Sequence, residues 1–338
     1  MTHECSTAIV IYEDRPHYEV GLKLLTTSLL NHAPNVDIHV FAPNATADFR
    51  QWVGDRAVAA HYWSPSTSAG FNVKPDALLW ALQQGYQQAI WLDGDIIVTQ
   101  SLPDQLLRQP LETMVLAEIS RRFKTQDCVA PWDLPSGRTF PINPSACCFR
   151  VTAYHYNFLQ HWKALISTPD YRYWQSQPRE QRPAHMVGSD AVLHALLGSE
   201  TYQTMPLHLL KMGKDIAQCL SPGHYTVWHR LMSLFWGVPP LVHAIGRKPW
   251  LVPESSASKT YQALSPYACC ARQCEQALGE QTSWLAIPKR WQLWHRLTRN
   301  HPALTSLPFA FRRLGLRRKL GQLVSSGQAT APCPRSLL

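Results

Sequence analysis

Short apolar runs alternate with segments of helical periodicity along the N-terminal half of the chain, and no other feature restricts the fold as much. The runs at residues 8–12 and 37–41 have the composition of buried strands, and the leucines of residues 20–31 recur at helical spacing between them. A second helix is predicted over residues 75–88, and it leads directly into the apolar run 89–98. Strands that alternate with helices at such short intervals indicate a parallel α/β sheet.

The composition changes near residue 280. The chain has 338 residues, of which 45% are hydrophobic, and this is enough for a large core. Residues 281–338 contain ten Lys or Arg and no Asp or Glu, whereas 22 basic and 23 acidic residues precede them. We therefore predict a globular domain over 1–280 and a basic, aromatic tail over 281–338 with a disordered end. Further helices are predicted over 152–166 and 190–197, and further strands over 58–63, 114–118, 145–151 and 241–245.

Two aspartates interrupt the apolar run AIWLDGDIIV at residues 89–98. A buried, unpaired carboxylate costs far more free energy than one strand gains from packing, so Asp93 and Asp95 predict a cation at this strand end. In extended backbone both side chains point to one face, and Gly94 lets the chain bend so that both can reach one ion. Hard oxygen ligands suit Mg²⁺ or Mn²⁺ bound together with substrate phosphates. An ordinary Asp-Gly-Asp turn is the alternative interpretation.

A second polar cluster, HAIGRKPW, begins within the strand predicted at residues 241–245. His243 offers an imidazole as a third metal ligand, and Lys248 offers a point charge for a phosphate. Gly246 between them permits close approach of a ligand to the backbone. The alternative is a core histidine beside a loop that carries a surface lysine.

Five stretches, taken in order, resemble glycosyltransferase family 8, which includes glycogenin and the α-galactosyl- and α-glucosyltransferases of bacterial lipopolysaccharide synthesis. The likeness spans roughly residues 8–252. It implies an α/β fold of the GT-A type found in nucleotide-diphospho-sugar transferases: a Rossmann-like mixed sheet flanked by helices, followed here by a basic helical C-terminal extension. The stretches are IVIYEDRPHYEVGLKLLTTSLL (9–30), AIWLDGDIIV (89–98), INPSACCF (142–149), GSDAVLHALL (188–197) and HAIGRKPW (243–250).

The resemblance also implies roles for individual residues. Asp93, Asp95 and His243 would hold the metal, and Lys248 with the backbone at Gly246 would grip the diphosphate of the donor. For the base and ribose of the donor, the implied contacts are Tyr12, either Glu13 or Asp14, and Tyr18. Lys74 and Arg247 would contact the phosphates. Asn143 and Asp190 would contact the transferred sugar.

This chain departs from the family pattern at two places. The spacing from His243 to Lys248 is one residue shorter, which is why Arg247 could share the phosphate contact. Either Ser189 or Asp190 stands at the position of the family's aspartate, depending on a shift of one residue. Structural interpretations also stay open: a helix cap at Asp190, a turn residue at Asn143 and a solvated charge at Lys74.

The implied activity is metal-dependent transfer of a hexose from a nucleotide sugar, with a UDP-sugar favoured, to a glycan or lipid-linked glycan with retention of configuration. Attack on the face that the diphosphate leaves and double displacement through Asp190 both remain open. The polar segment 120–141 is expected to meet the acceptor. A sugar nucleotidyltransferase is a weaker alternative, because YEDRPHY stands where that class has a Gly-rich loop. A non-catalytic module tethered to a membrane or nucleic acid is the second alternative.

The composition of the tail and the pattern of cysteines predict where in the cell the protein is found. Trp, Phe and Leu interleave with Lys and Arg over residues 288–320, a pattern that an anionic bilayer surface attracts. Nucleic acid is not expected, because no recognisable nucleic-acid fold accompanies these charges, while a solvated tail is the plainer alternative. Nine cysteines without a C-x-x-C pair, and the absence of a signal-like N-terminus, predict a cytoplasmic protein at the inner face of a membrane.

Overall fold

The computed structural model describes residues 6–119, 124–219, 225–246, 248–251, 263–279 and 282–308. Its strands are β1 (Thr7–Tyr12), β2 (Asp37–Phe41), β3 (Ala59–His61), β4 (Gln88–Leu92), β5 (Ile96–Val98), β6 (Met114–Ile119), β7 (Asn143–Thr152), β8 (Leu207–Leu210), β9 (Ile216–Gln218) and β10 (Leu241–His243).

The helices include most of those predicted from periodicity, together with several short ones. They are α1 (Glu19–His32), α2 (Ala47–Gly54), α3 (Lys74–Gln83), α4 (Asp104–Leu107), α5 (Thr125–Val129), α6 (Tyr156–Ile166), α7 (Pro169–Ser176), α8 (Ser189–Gly198), α9 (Val227–Trp236), α10 (Pro266–Ala271), α11 (Gln292–Thr298) and α12 (Pro302–Thr305). Within the described ranges, none of them is long and apolar enough to cross a bilayer.

The strands form two sheets. The larger has the order β3-β2-β1-β4-β7-β6-β8, and all its neighbours are parallel except the two pairs that contain β7. The smaller has the order β5-β10-β9. Because β7 runs against β4 and β6, its first residues lie at the edge where those strands end. The predicted α/β class, with a mixed sheet flanked by helices, is confirmed.

Three apolar clusters hold these layers together. One cluster packs α3, α6 and α8 on one face of the large sheet, and a second packs α1 and α2 on the other face. The third joins α1, the small sheet and α10, and it includes Trp284 and Leu285. Arg230 of α9 donates a hydrogen bond to Ser306 at 3.1 Å. The described chain therefore continues to pack beyond residue 280, and the domain boundary predicted there stays a prediction.

Some element bounds differ from the predictions. The helix predicted to Gln88 ends at Gln83, since Gly85 takes a φ of 94°, and Gln88 instead begins β4. The run 89–98 is two strands, not one, because Asp93, Gly94 and Asp95 form a turn between the two sheets. Sequence did not predict strands β8 and β9, nor helices α2, α4, α5, α7, α9, α10 and α12.

Candidate active site

The Asp93-Gly94-Asp95 turn is held by backbone hydrogen bonds to both sheets. The amide of Asp93 donates to Cys147 of β7 at 2.8 Å, and the carbonyl of Asp95 accepts from Ala244, directly after β10, at 3.0 Å. The turn therefore joins the carboxyl end of β4 to the small sheet. An open α/β sheet places ligand sites at this edge, so the correction to the predicted strand still leaves both carboxylates in the expected region.

Both aspartates turn one oxygen to a lysine and the other to His243. Asp93 Oδ1 lies 2.9 Å from Lys74 Nζ, while its Oδ2 lies 3.8 Å from His243 Nε2. Asp95 Oδ2 forms an ion pair with Lys248, while its Oδ1 lies 3.3 Å from His243 Nε2. One ligand atom from each of Asp93, Asp95 and His243 lies within 4.8 Å of the others. Two carboxylates and an imidazole at this separation fit a divalent cation.

Gln218, at the end of β9, fixes the orientation of His243. Its Nε2 donates to the carbonyl of Glu118 at 2.6 Å, so its Oε1 faces His243 Nδ1 at 3.1 Å. Nδ1 therefore carries a hydrogen, and Nε2 is the nitrogen that points to the aspartates. A hydrogen-bonded partner of this kind is what orients a histidine that binds a metal.

The charges of the cluster stabilise one another although all are buried. Burial acts to lower the pKa of His243, but Asp95 outweighs it and raises that pKa to about 10. Burial likewise acts to raise the pKa of Asp95, but Lys248 and His243 hold it below its ordinary value. The pKa of Lys74 is raised, because Asp93 and Asp190 outweigh its burial. A metal and a proton would compete for His243 Nε2.

A cavity of about 970 Å³ opens beside this cluster. Asp93, Asp95, His243, Lys74 and Lys248 all belong to its lining. The predicted donor-phosphate residue Gly246 lines it as well, with a φ of 90° that only glycine adopts without strain. Arg247 lies outside the described residues, so its predicted phosphate contact stays a prediction.

Asp190 faces the cavity at the start of α8. Its Oδ1 lies 3.9 Å from Lys74 Nζ, and its Oδ2 accepts from Ser145 at 3.5 Å. Ser189 instead donates to the carbonyl of Phe71 at 2.9 Å and is 2% exposed. Both residues line the cavity, but the Ser189 hydroxyl is already bonded to Phe71, whereas Asp190 offers a carboxylate. The N-cap position of α8 belongs to Gly188.

One sequence assignment, at Asn143, and one alternative interpretation, at Lys74, do not agree with the structure. Asn143 does not line the cavity: it is 1% exposed and its amide contacts His194 of α8 at 3.3 Å. Ser145, two residues further along the same face of β7, takes the lining position. Lys74 is not a solvated charge, because it is 2% exposed and lies between Asp93 and Asp190.

A small recess of about 20 Å³ adjoins the cavity and shares Asp93, Asp95 and Lys248 with it. Its lining also contains the four residues predicted to face the base and ribose, which are Tyr12, Glu13, Asp14 and Tyr18. Asp14 accepts from the backbone of Gly70 at 2.8 Å and from the Tyr12 hydroxyl at 3.3 Å.

Arg15, which sequence reasoning missed, organises this recess. It binds both oxygens of Glu13 at 2.6 and 2.8 Å, and its guanidinium lies 3.6 Å from the ring centroid of Tyr18. Burial raises the pKa of Glu13 in spite of this contact. Trp250 contacts the same segment, since its indole donates to the carbonyl of His17 at 3.1 Å.

No family model and no curated protein matches this chain. Among solved structures, the galactosyltransferase LgtC, in complex with donor and acceptor sugar analogs, is 14% identical, with 84% of this chain and 99% of LgtC covered at a TM-score of 0.48. The glycosyltransferase GlyE of Streptococcus pneumoniae TIGR4 is 14% identical, with 84% of this chain and 65% of GlyE covered at a TM-score of 0.44. The bifunctional glycosyltransferase WbbM is 14% identical, with 74% of this chain and 48% of WbbM covered at a TM-score of 0.46.

The chain thus spans about half of WbbM and just under two thirds of GlyE. With TM-scores below 0.5, these likenesses carry no functional argument, which has to come from the site itself.

Proposed function

We propose that this chain is a metal-dependent glycosyltransferase of the GT-A type that transfers a hexose from a nucleotide sugar to a glycan or lipid-linked glycan. The observation that supports it best is the convergence of Asp93, Asp95 and His243 in the lining of a large cavity. UDP as the nucleotide, Mn²⁺ or Mg²⁺ as the ion and retention of configuration follow from the resemblance to family 8.

The residues of the site have distinct tasks in this proposal. A divalent cation held by Asp93, Asp95 and His243 would neutralise the diphosphate leaving group as a Lewis acid. Lys74 pairs with Asp93 and Lys248 with Asp95, and each lysine holds one carboxylate oxygen in place. Asp190 faces the bound sugar.

The diphosphate would lie beside Gly246, where no Cβ obstructs the backbone, and Lys248 would add a second positive charge. A nucleoside bound in the cavity would contact Tyr18, which lines both the cavity and the recess, and Tyr12 and Asp14 line the recess behind it. These contacts fix the donor before the acceptor arrives, and a positioned donor lowers the entropic part of the barrier.

The two alternatives are less well supported. The segment after β1, where a nucleotidyltransferase would hold a triphosphate, is occupied by the Glu13–Arg15 ion pair and a short 3-10 turn at Pro16–Tyr18. A non-catalytic module has no evident use for three buried ligand groups with an orienting glutamine behind them.

We also propose that the protein docks on an anionic membrane surface. The predicted contact covers residues 288–320, of which residues 309–320 lie outside the described residues. Within the described residues, Leu293 and Leu297 of α11 are 67% and 73% exposed beside the exposed Arg296 and Arg299. Leucines and arginines that share one helix are suited to the boundary between headgroups and acyl chains.

Helix α9 extends this apolar surface. It exposes five large apolar side chains and no charged one, and α12 packs against both α9 and α11. A cytoplasmic location remains part of the proposal, and it agrees with the seven described cysteines, all of which are free. The exposed side chains are Trp228, Leu231, Leu234, Phe235 and Trp236.

The proposal is tested by turnover of the donor. The protein is incubated with a panel of UDP-sugars and Mn²⁺, and release of UDP is followed with and without EDTA. One sugar should be turned over, and EDTA or Asp93→Asn should slow it by about 100-fold or more, because charge stabilisation of the leaving group is lost. Asp104→Asn, at an exposed carboxylate of α4, is the control. Equal turnover in EDTA would contradict metal dependence.

A further inference from the structure

Three arginines from the part of the chain between the start of α7 and α8 line the cavity, and the proposed function does not use them. Arg172 belongs to α7, Arg179 to a 3-10 turn at Arg179–Gln181, and Arg182 follows that turn. We name these three residues the arginine rim.

Arg182 has a structural task within the rim. Its guanidinium donates to the side chain and the carbonyl of Gln175 at 2.9 Å each, and to the carbonyl of Gln177 at 2.9 Å. Gln175 in turn donates to the carbonyl of Met186 at 2.6 Å. These bonds pin the segment between α7 and α8 into one shape.

Arg172 and Arg179 have no such task. Both are exposed, and neither forms an ion pair or a side-chain hydrogen bond with any residue that the structure describes. Their acidic neighbours in sequence, Asp170 and Glu180, do not line the cavity. Two guanidinium groups therefore face the cavity without a counter-charge from the described chain.

Each carboxylate that lines the cavity already has a lysine as its counter-charge. Lys74 Nζ lies 2.9 Å from Asp93 Oδ1 and 3.9 Å from Asp190 Oδ1, and Asp95 pairs with Lys248. An anion that meets the arginine rim must therefore come from a ligand.

The position of the rim indicates which ligand carries that anion. A chain of contacts runs from the metal cluster through Asp93 and Lys74 to Asp190. Asp190 lies at the start of α8, and the segment that carries Arg179 and Arg182 leads into this helix, so the rim belongs to the same part of the chain as the proposed sugar contact. The donor's diphosphate is proposed beside Lys248 and Gly246, which follow β10.

We propose that the acceptor is anionic, carrying a phosphate or a carboxylate that Arg172 and Arg179 bind. This inference rests on the proposed function. Guanidinium groups match phosphate and carboxylate oxygens by paired hydrogen bonds, and Arg182 keeps their segment ordered before the acceptor arrives.

The test uses three small probes: glucose, glucose 6-phosphate and glucuronate. Their binding to the protein loaded with Mg²⁺ and UDP is measured by ligand-observed NMR, and it is repeated without UDP. The double variant Arg172→Gln/Arg179→Gln is compared with Arg108→Gln, whose side chain is 79% exposed on α4 and does not line the cavity.

We expect glucose 6-phosphate, glucuronate or both to bind more tightly than glucose, and the double variant to weaken that binding about tenfold, the loss expected for a charge-assisted contact. Arg108→Gln should leave it unchanged. A preference for the phosphate over glucuronate identifies a phosphorylated acceptor, and the reverse identifies an acidic sugar.

Three results would overturn the inference: binding of glucose as tight as that of both anions, anion binding that is unchanged in the double variant, or a loss of UDP affinity in that variant. The last would assign the rim to the donor's phosphates. Failure of wild-type protein to bind UDP would instead reject the proposed donor, and the titration without UDP would still test the rim.

Discussion

Gln218 is the residue on which the geometry of the metal cluster most depends after the ligands themselves. It joins the backbone of β6 to Nδ1 of His243, so that Nε2 faces Asp93 and Asp95. This pair of hydrogen bonds holds the imidazole ring in that orientation. The side chain is fully buried, which keeps water from replacing the hydrogen bond.

We predict that Gln218→Leu weakens Mn²⁺ binding by about 10- to 100-fold, the usual cost of losing the partner of a metal-binding histidine. The measurement is calorimetric titration with Mn²⁺, with circular dichroism as a check of folding. Gln100→Leu, at an exposed glutamine, is the control. Equal Mn²⁺ affinity of the Gln218 variant and wild type would remove Gln218 from the site.

Sequence alone singled out the three candidate ligands that the structure brings together, but not the residues that hold them in place. Asp93, Asp95 and His243 were predictable because carboxylates and an imidazole beside apolar strands have few other uses. Gln218 and Arg15 were missed, because a polar residue next to a three-residue strand, or one more charge in EDRPHY, carries no signal before the strands are paired. Asn143 was wrongly assigned because strand alternation gives the face of a side chain but not its depth in the sheet.

At the scale of elements, the close contact between α1 and the Asp93-Gly94-Asp95 turn determines where the carboxylates lie. Gly21 of α1 is the point of contact, since a Cβ there would lie 2.6 Å from the carbonyl oxygen of Gly94 and 3.1 Å from the ring of Trp250. Both neighbours belong to the site, and one of them is backbone. A methyl group at this position therefore has to move the turn or the helix.

We predict that Gly21→Ala lowers the free energy of unfolding by about 1–3 kcal/mol, the usual cost of overpacking, and also weakens Mn²⁺ binding. Gly54→Ala is a matched control, because nothing lies within 4 Å of a Cβ at the end of α2. That variant should be neutral or more stable by up to about 1 kcal/mol. Urea unfolding and Mn²⁺ titration would measure both effects. Equal behaviour of the two variants would contradict the proposed contact.

The elements that sequence predicted best are the long ones. Helices α1 and α6 and strand β7 were found because periodicity over ten or more residues is hard to mistake. Strands β8 and β9 have four and three residues, too few to show a period. The break of the run 89–98 into two strands depends on pairing with β7 and β10, which is long-range information.

At the scale of the whole molecule, helix α9 is the largest departure from an ordinary protein surface. Phe235 and Trp236 are 78% and 69% exposed at its end, and Trp228 is 63% exposed at its start. Exposed aromatic groups on one helix mark a surface that contacts a partner or a membrane. We propose that the basic residues predicted to contact the membrane give that surface a preference for anionic lipid.

We predict that wild-type protein co-sediments with vesicles that contain anionic lipid, and that it does so more weakly in high salt. Phe235→Ser/Trp236→Ser should lower this binding by at least about tenfold, because two aromatic side chains no longer enter the interface. Tyr154→Ser, at a tyrosine 71% exposed before α6, is the matched control. If the double variant sediments as well as wild type, α9 does not contact the bilayer.

The central claim, that Asp93, Asp95 and His243 form the metal end of a nucleotide-sugar site, is tested most directly by calorimetric titration of UDP. The protein is titrated in Mn²⁺ and in EDTA, beside Asp95→Asn and the surface control Asp104→Asn. The account predicts UDP binding that requires Mn²⁺, survives in Asp104→Asn and is lost in Asp95→Asn with the fold intact by circular dichroism. UDP binding that is equal in EDTA, or equal in Asp95→Asn, would contradict it.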